Sequence, residues 1–543
     1  MKRLNGFTRR VRSASRKAGM YARFARGLAS FLREQTTLDD ARQTIRERLT
    51  TREDNFLRIL NRGIYGYPAS PYLALLKEAG CQQGDVVRLV RSVGLDEALR
   101  QLLKAGVYVE FDEFKGRKPI QRGRLTLPVT AGDFDNPYLK YCYETATSGS
   151  SGPRSRTWLD LDHLAATTCH TMVGLDVHGL DKAPTVIWRP ILPACTGVTN
   201  VLRSARVGNV ARKWFSPLNS EDLRPSLTYA ASTWYILLAG RLMGVPLPRP
   251  EPVRTEDAVR VARWAATVVQ ESGACLIRTY VSLAVRVALA AVENGINLEG
   301  VVLMGGGEPP TPSKVRHIQM SGARWVPTYA FSEFGQVGVG CANPKSENDL
   351  HLFEDGIFLV PVERELPGWE AKVNVFHFTT LLPTSPKILL NVGLDDYGTV
   401  ERRSCGCGLE SLGLRTHVEG IRSFSKLTGE GMSVAGSEMQ EILESVLPQR
   451  FGGTPFDYQL EEREDSQGFT RLELLVSPEI QLPENGGAVL AAILSGMRSG
   501  SPAAELARAI WKEANSLRIR REKPVASPEG KYFCIRKVRC PKG

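Results

Sequence analysis

The pattern of apolar and polar positions divides this chain into helical and strand-forming stretches. From Thr37 to Leu102 apolar residues recur at helical spacing, which predicts a run of helices. Val107–Val129 alternates apolar and polar residues around glycine and proline, which indicates short strands. Helical spacing returns in Glu256–Ser272 and Thr279–Gly295. The Pro-rich stretch before these two segments, Pro246–Val253, is predicted to be a loop.

Beyond residue 300 the pattern is typical of an α/β fold. Gly300–Pro310 is an apolar strand that runs into a glycine turn, and a predicted helix and strand follow it, as in parallel β/α units. Residues 350–404 are predicted to be mainly strands, including Lys387–Val392. Past about Glu419 strands and helices of a small α+β lobe are expected. We therefore divide the chain into an arm (1–36), a large domain (37–420) and a small C-terminal domain (421–543).

Length and composition narrow the protein class. With 543 residues, of which 42% are hydrophobic, the chain is long enough for more than one domain and for a large core. It contains no uninterrupted run of 18 apolar residues, so no transmembrane helix is expected. The 10 cysteines are scattered, which does not resemble a disulfide framework, and we expect them to be mostly buried and reduced.

The net charge of +12 is concentrated at one end of the sequence. Residues 1–36 hold ten Lys and Arg against a single acid, Glu34. Such an arm could contact nucleic acid, an anionic surface or an acidic carrier protein, and it also has the composition of a transit peptide. We interpret it as a solvated amphipathic helix. The absence of a secretory apolar segment favours a cytoplasmic protein, and no recognised nucleic-acid-binding motif is found.

A glycine- and hydroxyl-rich segment is the strongest candidate for chemistry. Glycine allows backbone to approach a ligand closely, and successive backbone N–H groups in such a turn form an anion-binding concavity. Hydroxyl groups add donors that reach phosphate oxygens. The segment is also compatible with a plain turn or linker. It consists of Thr147, Ser148, Gly149, Ser150, Ser151 and Gly152.

This segment is the first of five that occur in one order along the chain. The others are Gly306-Gly307-Glu308-Pro309, Tyr329-Ala-Phe-Ser332-Glu333, Asp395-Asp396-Tyr397-Gly398 and Gly530-Lys531. Together they resemble the adenylate-forming superfamily of acyl- and aryl-CoA ligases and adenylation domains, in particular its phenylacetate-CoA ligase branch. The resemblance covers roughly residues 70–535. It implies a large N-terminal domain of mixed sheets flanked by helices and a small mobile C-terminal domain.

The resemblance also implies a reaction and a nucleotide site. A carboxylate is joined to the α-phosphate of ATP with release of pyrophosphate, and the site needs preorganised positive charge and donors. Thr147–Gly152 would hold the β- and γ-phosphates. The lysine that usually ends this motif is missing, and Arg154 or Arg156 could replace it. Gly306–Pro309 would form a flat wall against adenine; a tight turn before a helix is the alternative.

Four further roles are implied by the same resemblance. Tyr329, in the motif that also holds Ser332, would stack on adenine, and Glu333 would bind the Mg²⁺ that accompanies ATP, as suits a carboxylate. The ribose hydroxyls would be bound by Asp396, with Asp395 a close second; a hairpin turn also explains both acids. Lys531 would bridge the substrate carboxylate and the α-phosphate when the C-terminal domain closes.

Cysteine and histidine residues point to a second kind of site. Thiolate and imidazole are suitable ligands for tetrahedral zinc. Members of the same branch carry such residues at similar places, which implies a structural zinc ion without a catalytic role. Reduced core cysteines and a hydrogen-bonded histidine are the alternative. The candidate ligands are Cys341, His351, Cys405 and Cys407.

The acid and the acceptor are not encoded in any motif. Trp188, Trp234, Tyr235 and Phe334 suggest an apolar or aromatic carboxylic acid, although such residues fill ordinary cores as often. The default acceptor is a thiol, that of coenzyme A or of phosphopantetheine on an acyl carrier protein. The alternatives are transfer to an amine or a protein acceptor, and a catalytically weak family member that acts as a binding protein.

Overall fold

The structure, a computed structural model, describes most of the chain. The described residues are 19–140, 142–146, 156–192, 194–217, 227–307, 310, 312–365, 372–423, 428–429, 432–433, 436–464, 470–482, 486–496, 517–526 and 532–538. In these ranges no helix is both long enough and apolar enough to cross a membrane.

Helices dominate the first part of the chain, as their spacing predicts. They are α1 (residues 19–33), α2 (Leu38–Thr50), α3 (Arg52–Ile59), α4 (Pro71–Glu78), α5 (Gln83–Val93), α6 (Leu95–Lys104) and α7 (Phe111–Phe114), with a π-helical turn at Leu60–Tyr65. Two hairpins follow, β1 (Ile120–Arg122) with β2 (Leu125–Leu127), and β3 (Cys142–Ala146) with β4 (Arg156–Asp160). Helices α8 (Leu161–Ala166) and α9 (Thr168–Asp176) come next.

Helix α1 corrects the interpretation of the basic arm as solvated. Phe24, Leu28, Phe31 and Leu32 are spaced on one face of this helix, and all four are buried. They belong to one hydrophobic cluster with residues of the following β/α units, such as Trp214. The helix is amphipathic as expected, but its apolar face is part of the core.

Six parallel strands, joined by helices, form one half of a twelve-stranded sheet. The elements are β5 (Thr185–Trp188), α10 (Thr196–Arg206), β6 (Lys213–Ser216), α11 (Leu227–Leu242), β7 (Pro250–Pro252), α12 (Ala258–Ser272), β8 (Cys275–Tyr280), α13 (Val281–Glu293), β9 (Val301–Gly306), α14 (Pro312–Met320) and β10 (Arg324–Phe331). The strands lie in the order β7-β6-β5-β8-β9-β10. The order therefore reverses between β5 and β8, which makes this pair a topological switch point.

Strand β7 contradicts the prediction of a loop at Pro246–Val253. Pro250–Pro252 pairs in parallel with β6 and forms the edge of the sheet. Proline is tolerated there because the outer side of an edge strand has no partner that needs its N–H.

The second half of the sheet is mostly antiparallel. Its strands are β11 (Gly335–Gly340), β12 (Leu350–Leu352), β13 (Ile357–Glu365), β14 (Lys372–Thr380), β15 (Val392–Arg402) and β16 (Thr416–Ser423), with the short helix α15 (Gly408–Ser411) before β16. They continue the sheet from β10 in the order β11-β12-β16-β15-β14-β13. The predicted strand Lys387–Val392 is wrong, since β15 begins at Val392 and carries Asp395 and Asp396 within it.

Successive side chains of the parallel strands point to opposite faces of the sheet, and helices bury both faces. Val186 and Trp188 of β5 lie in one cluster with residues of α12–α14, whereas Ile187 lies in the cluster that contains α1, α10 and α11. A sheet covered by helices on both faces leaves the ends of its strands as the open positions. The α/β fold class, a large mixed sheet flanked by helices, is confirmed.

A small α+β unit follows the large sheet. Its elements are β17 (Thr428–Gly429), β18 (Met432–Ser433), α16 (Gly436–Glu441), a π-helical turn (Ile442–Val446), α17 (Leu447–Phe451), β19 (Tyr458–Glu464), β20 (Thr470–Val476), α18 (Gly487–Gly496), β21 (Leu517–Arg521) and β22 (Ile535–Val538). Its sheet has the order β21-β20-β19-β22. A buried ion pair, Lys314 Nζ to Glu444 Oε1 at 2.9 Å, joins it to α14, and Arg286 of α13 lies 4.6 Å from the ring of Phe456.

Candidate active-site cleft

A cleft of about 300 Å³ lies where the parallel strands end. Tyr280 closes β8, Gly306 closes β9, and Phe331 closes β10; all three line the cleft. Ligands of open α/β sheets bind outside the carboxyl ends of the strands, at the point where the strand order reverses. The fold therefore places this cleft where a ligand site is expected.

Gly306 and Gly307 form one wall of the cleft, and the first of them cannot be replaced. A Cβ on Gly306 would lie 2.0 Å from the carbonyl oxygen of Thr328 on the neighbouring strand. Gly307 has φ = +84°, a left-handed conformation that favours glycine. Both glycines line the cleft, while Glu308 and Pro309 lie outside the described residues.

The predicted phosphate loop connects the two strands of the β3–β4 hairpin. Thr147–Gly152 and Arg154 lie outside the described residues, but Ala146 pairs with Arg156 on the two sides of the loop. Trp158 and Asp160, further along β4, line the cleft. The hairpin that carries the loop therefore contributes directly to the cleft wall.

Tyr329 and Asp396 are brought together by the two halves of the sheet. The Tyr329 hydroxyl donates to Asp396 Oδ2 at 2.6 Å, and its ring packs near Phe331 and Phe378. Burial, followed by the Asp396 charge and this hydrogen bond, raises the pKa of Tyr329 well above its usual range. The phenol thus stays a donor that orients the carboxylate. The side chain of Asp395 is outside what the structure describes.

Glu333 is buried in a hairpin turn and paired with a lysine that no motif indicated. Lys115 Nζ donates to Glu333 Oε1 at 2.7 Å, and the two residues are separated by 218 positions. Burial alone would raise the pKa of Glu333, but the charge and hydrogen bond of Lys115 outweigh it and lower that pKa. Glu333 is thus ionised at neutral pH, next to Ser332 and Phe334, which line the cleft.

His163 lines the cleft and is a second residue that the sequence did not reveal. Burial lowers its pKa to about 3, so the imidazole is neutral at physiological pH. Its Nε2 contacts the carbonyl oxygen of Phe334, and its Nδ1 lies 3.3 Å from Thr384 Oγ1. Nε2–H therefore donates to the carbonyl and fixes the turn that carries Glu333.

The aromatic side chains predicted to form an acid pocket lie mostly elsewhere. Trp188 is fully buried in the core, and Trp234 and Tyr235 are 57% and 42% exposed on α11. Of the four, Phe334 alone lines the cleft. Which face of a helix or strand an aromatic side chain occupies depends on the packing of the whole sheet, so these positions could not be assigned to a pocket from the sequence. Arg189, Arg203 and Arg278 line the cleft instead.

The four predicted zinc ligands converge outside the cleft. The ligand atoms of Cys341, His351, Cys405 and Cys407 all lie within 4.8 Å of one another, and His351 Nε2 lies 3.4 Å from Cys405 Sγ and 3.2 Å from Cys407 Sγ. Zinc bonds of about 2.3 Å to sulfur and 2.0–2.1 Å to nitrogen place tetrahedral S and N ligands about 3.5 Å apart.

The surroundings of this Cys/His cluster also suit a metal ion. His351 Nδ1 lies 2.9 Å from the carbonyl oxygen of Leu414, to which it donates, so that Nε2 keeps its lone pair for a metal. His351 is fully buried, and Cys341 and Cys407 are buried. The residues fit a structural zinc with a closed shell of four protein ligands.

The chain is similar to solved structures only, among the known proteins compared. No family model matches it, and no curated protein matches it. Among solved structures, a 2-hydroxyisobutyryl-CoA ligase in complex with 2-HIB-AMP and CoA is similar at 16% identity and a TM-score of 0.44, with 91% of this chain and 90% of that chain covered.

Two other solved structures are similar over different extents. McyG A-PCP, complexed with phenylalanyl-adenylate, has 14% identity and a TM-score of 0.42, with 72% of this chain and 64% of that one covered. The amide bond synthetase McbA from Marinactinospora thermotolerans has 12% identity and a TM-score of 0.41, with 94% and 97% covered.

Proposed function

We propose that this protein is an ATP-dependent ligase that activates a carboxylic acid as an acyl-adenylate. A carboxylate oxygen attacks the α-phosphorus of ATP, the bond from that phosphorus to the bridging oxygen of the β-phosphate breaks, and pyrophosphate leaves. The acyl group is then transferred to a thiol, which displaces AMP. Coenzyme A or the phosphopantetheine of a carrier protein would supply that thiol.

One observation carries the proposal. Two of the predicted motifs, and the hairpin that flanks the predicted phosphate loop, contribute described lining residues to one cleft at the switch point of the sheet. Gly306, Gly307 and Ser332 line this cleft, and the Tyr329–Asp396 hydrogen bond joins two more of the predicted nucleotide residues. Plain turns have no reason to converge in this way.

The described residues suit binding and orientation more than proton transfer. The glycine wall admits a flat base, and the carboxylate of Asp396, oriented by Tyr329, can accept hydrogen bonds from ribose hydroxyls. Glu333 is held ionised by Lys115 and has the ligand type that Mg²⁺ prefers; when bound with ATP, the ion would supply charge neutralisation at the phosphates. Lys531 lies outside the described residues, and its proposed role is to bridge the two reacting anions.

Pyrophosphate exchange into ATP tests the first half-reaction. Exchange that depends on an added carboxylic acid is expected, whereas its absence across a broad panel of acids, together with absent ATP binding, would contradict the proposal. Lys531→Ala should reduce exchange by orders of magnitude and spare thiol transfer from a preformed acyl-adenylate. Lys523→Ala is a suitable control, because Lys523 is exposed in the same region and pairs with Glu479.

The second half-reaction needs its own assay. Acyl-adenylate formed in place is offered coenzyme A, pantetheine or an amine such as glycine, and the product is identified by mass spectrometry. A thioester product would support a thiol as the acceptor. An amide product would instead show that the enzyme transfers the acyl group to an amine.

We also propose that Cys341, His351, Cys405 and Cys407 hold a structural zinc ion. The fit of the donor types and distances supports this assignment. None of the four is among the residues that line the cleft, so the ion would tie β12 to the segments that follow β11 and β15 and leave catalysis to other residues.

A further inference from the structure

Three arginine side chains are buried in the wall of the cleft. Arg189, Arg203 and Arg278 are only 9%, 7% and 5% exposed, although arginine is almost never buried without a partner. Cavities that bind apolar acids are lined mainly by hydrophobic side chains. The cationic character of this cleft therefore needs a separate explanation.

The three residues come from different elements that meet at the switch point. Arg189 directly follows β5, Arg278 lies on β8 opposite Ile187, and Arg203 lies on α10. The guanidinium of Arg189 lies 3.9 Å from the centre of the Tyr280 ring and donates to the carbonyl of Thr279. These contacts hold its planar group in one orientation.

Arg203 and Arg278 have no carboxylate partner among the residues that the structure describes. Arg203 donates to Thr167 Oγ1 at 3.3 Å, but its Nε has no hydrogen-bond acceptor, and neither has Nη1 of Arg278. Asp160 is the one acid among the described lining residues, and its Oδ1 accepts from the backbone N–H of His163 at 2.9 Å. The protein thus keeps unsatisfied guanidinium donors inside a cavity.

The electrostatic state of the cluster agrees with the geometry. Burial lowers the pKa of Arg203 to about 10, and burial followed by repulsion from Arg203 and Arg189 lowers the pKa of Arg278 to about 9. Both groups remain charged at neutral pH. A buried charge without a counter-ion is costly, whereas a bound anion would neutralise it and accept bidentate hydrogen bonds.

We infer that the acid activated here carries a second anionic group, most simply a second carboxylate, which binds to Arg278 and Arg203 while the first carboxylate reacts. The inference rests on the proposed function. The reacting carboxylate attacks the α-phosphorus and releases pyrophosphate, and the second keeps its charge throughout. A dicarboxylic acid thus replaces the apolar or aromatic acid that the sequence suggested.

Matched pairs of acids test the substrate class in the exchange assay. Malonate, succinate, glutarate and phthalate are compared with propionate, butyrate, valerate and benzoate. At least one diacid should exceed its monoacid by about 100-fold in kcat/KM, because an unpaired buried donor penalises the analogue that lacks the polar group. Robust exchange with the monoacids and none with the diacids overturns the inference and leaves the proposed function standing.

Two further acids distinguish the kinds of anion. 3-Sulfopropionate and 3-phosphonopropionate have the length of succinate but end in a different charged group. Succinate in preference to both supports the second carboxylate, and equal use of a sulfonate or phosphonate supports a general anion subsite. Activity with butyrate above all three contradicts an anion subsite.

Variants identify the residues that recognise the second charge. Arg278→Met and Arg203→Met should each lower the diacid-to-monoacid ratio at least about 10-fold while exchange with the monoacid persists, because a bond to a charged group is lost. Arg206→Met is the matched control, since Arg206 lies one turn from Arg203 on α10 and pairs with Glu34 outside the cleft.

The ratio separates recognition from folding. If the arginines had a merely structural role, each variant would lower exchange with the diacid and with the monoacid equally. The diacid-to-monoacid ratio would then stay the same, and this result would overturn the inference. If KM for ATP or pyrophosphate rose while the diacid-to-monoacid ratio stayed the same, the arginines would bind the nucleotide. This result would also overturn the inference.

Discussion

Replacing one cysteine of the Cys/His cluster gives a quantitative test of the zinc proposal. Cys407→Ser removes a buried thiolate that lies 3.2 Å from His351 Nε2 and keeps the volume of the side chain nearly constant. Zinc at about 1,000 times its Kd stabilises a folded protein by about 4.1 kcal/mol. Loss of the ion should therefore lower the apparent free energy of unfolding of the large domain by about 4 kcal/mol.

The assay combines metal content with denaturation. Plasma mass spectrometry of the protein, purified under reducing conditions, should give one zinc per chain for the parent and less than about a tenth of that for Cys407→Ser. Denaturant unfolding with and without a chelator should show the stability difference in the parent but not in the variant. These measurements need neither substrate nor activity.

A second buried cysteine provides the control. Cys275 is fully buried in β8 and does not belong to the Cys/His cluster. The Cys275→Ser variant should retain zinc. Its free energy of unfolding should fall only by the modest amount that burying a hydroxyl group costs. The zinc proposal would be refuted if the parent protein contained no zinc after refolding in the presence of zinc. It would also be refuted if a chelator had no effect on the unfolding of the parent.

Two more predictions concern buried ion pairs. Lys115→Met removes the largest influences that oppose burial and therefore raises the pKa of Glu333. Because the paired carboxylate has a lowered pKa, its contribution is present at neutral pH and lost on acidification. The acidic limb of the pH–rate profile should therefore move to higher pH in the variant. An unchanged limb would contradict this. Lys314→Met should lower the free energy of unfolding, measured with denaturant, by about 3–5 kcal/mol, because it leaves Glu444 buried without its cation. The double variant Lys314→Met and Glu444→Leu should have nearly the stability of the parent, because an apolar pair replaces the ion pair. Equal losses in both variants would contradict that reasoning, and exposed Lys345→Ala is the control, expected to cost at most about 1 kcal/mol.

Helices, strands and site residues that belong to a recognisable short sequence pattern could be predicted from the sequence. Most helices and strands followed from hydrophobic spacing, and the Cys/His cluster followed from ligand type together with the family resemblance. Gly306 and Gly307 were singled out through the family resemblance, because a strand that runs into several glycines also fits a tight turn before a helix. In each case the information lies within a short segment.

Features that depend on long-range packing could not be predicted. The pairing of Lys115 with Glu333 joins segments 218 positions apart, and no local signal distinguishes Lys115 from its neighbours. The arginines come from a strand, a helix and a loop that converge only in the folded sheet. Strand β7 was missed because proline predicts a loop unless the strand is known to be at an edge.

The burial of α1 has a practical consequence for making this protein. Shortened forms that begin near residue 37 would discard four side chains that cover Trp214 and its neighbours, and the newly wetted surface should promote aggregation. Shortened forms that begin at residue 19 keep this cover and lose seven of the ten basic residues of the arm. Expression trials should therefore place tags and start sites ahead of Met20.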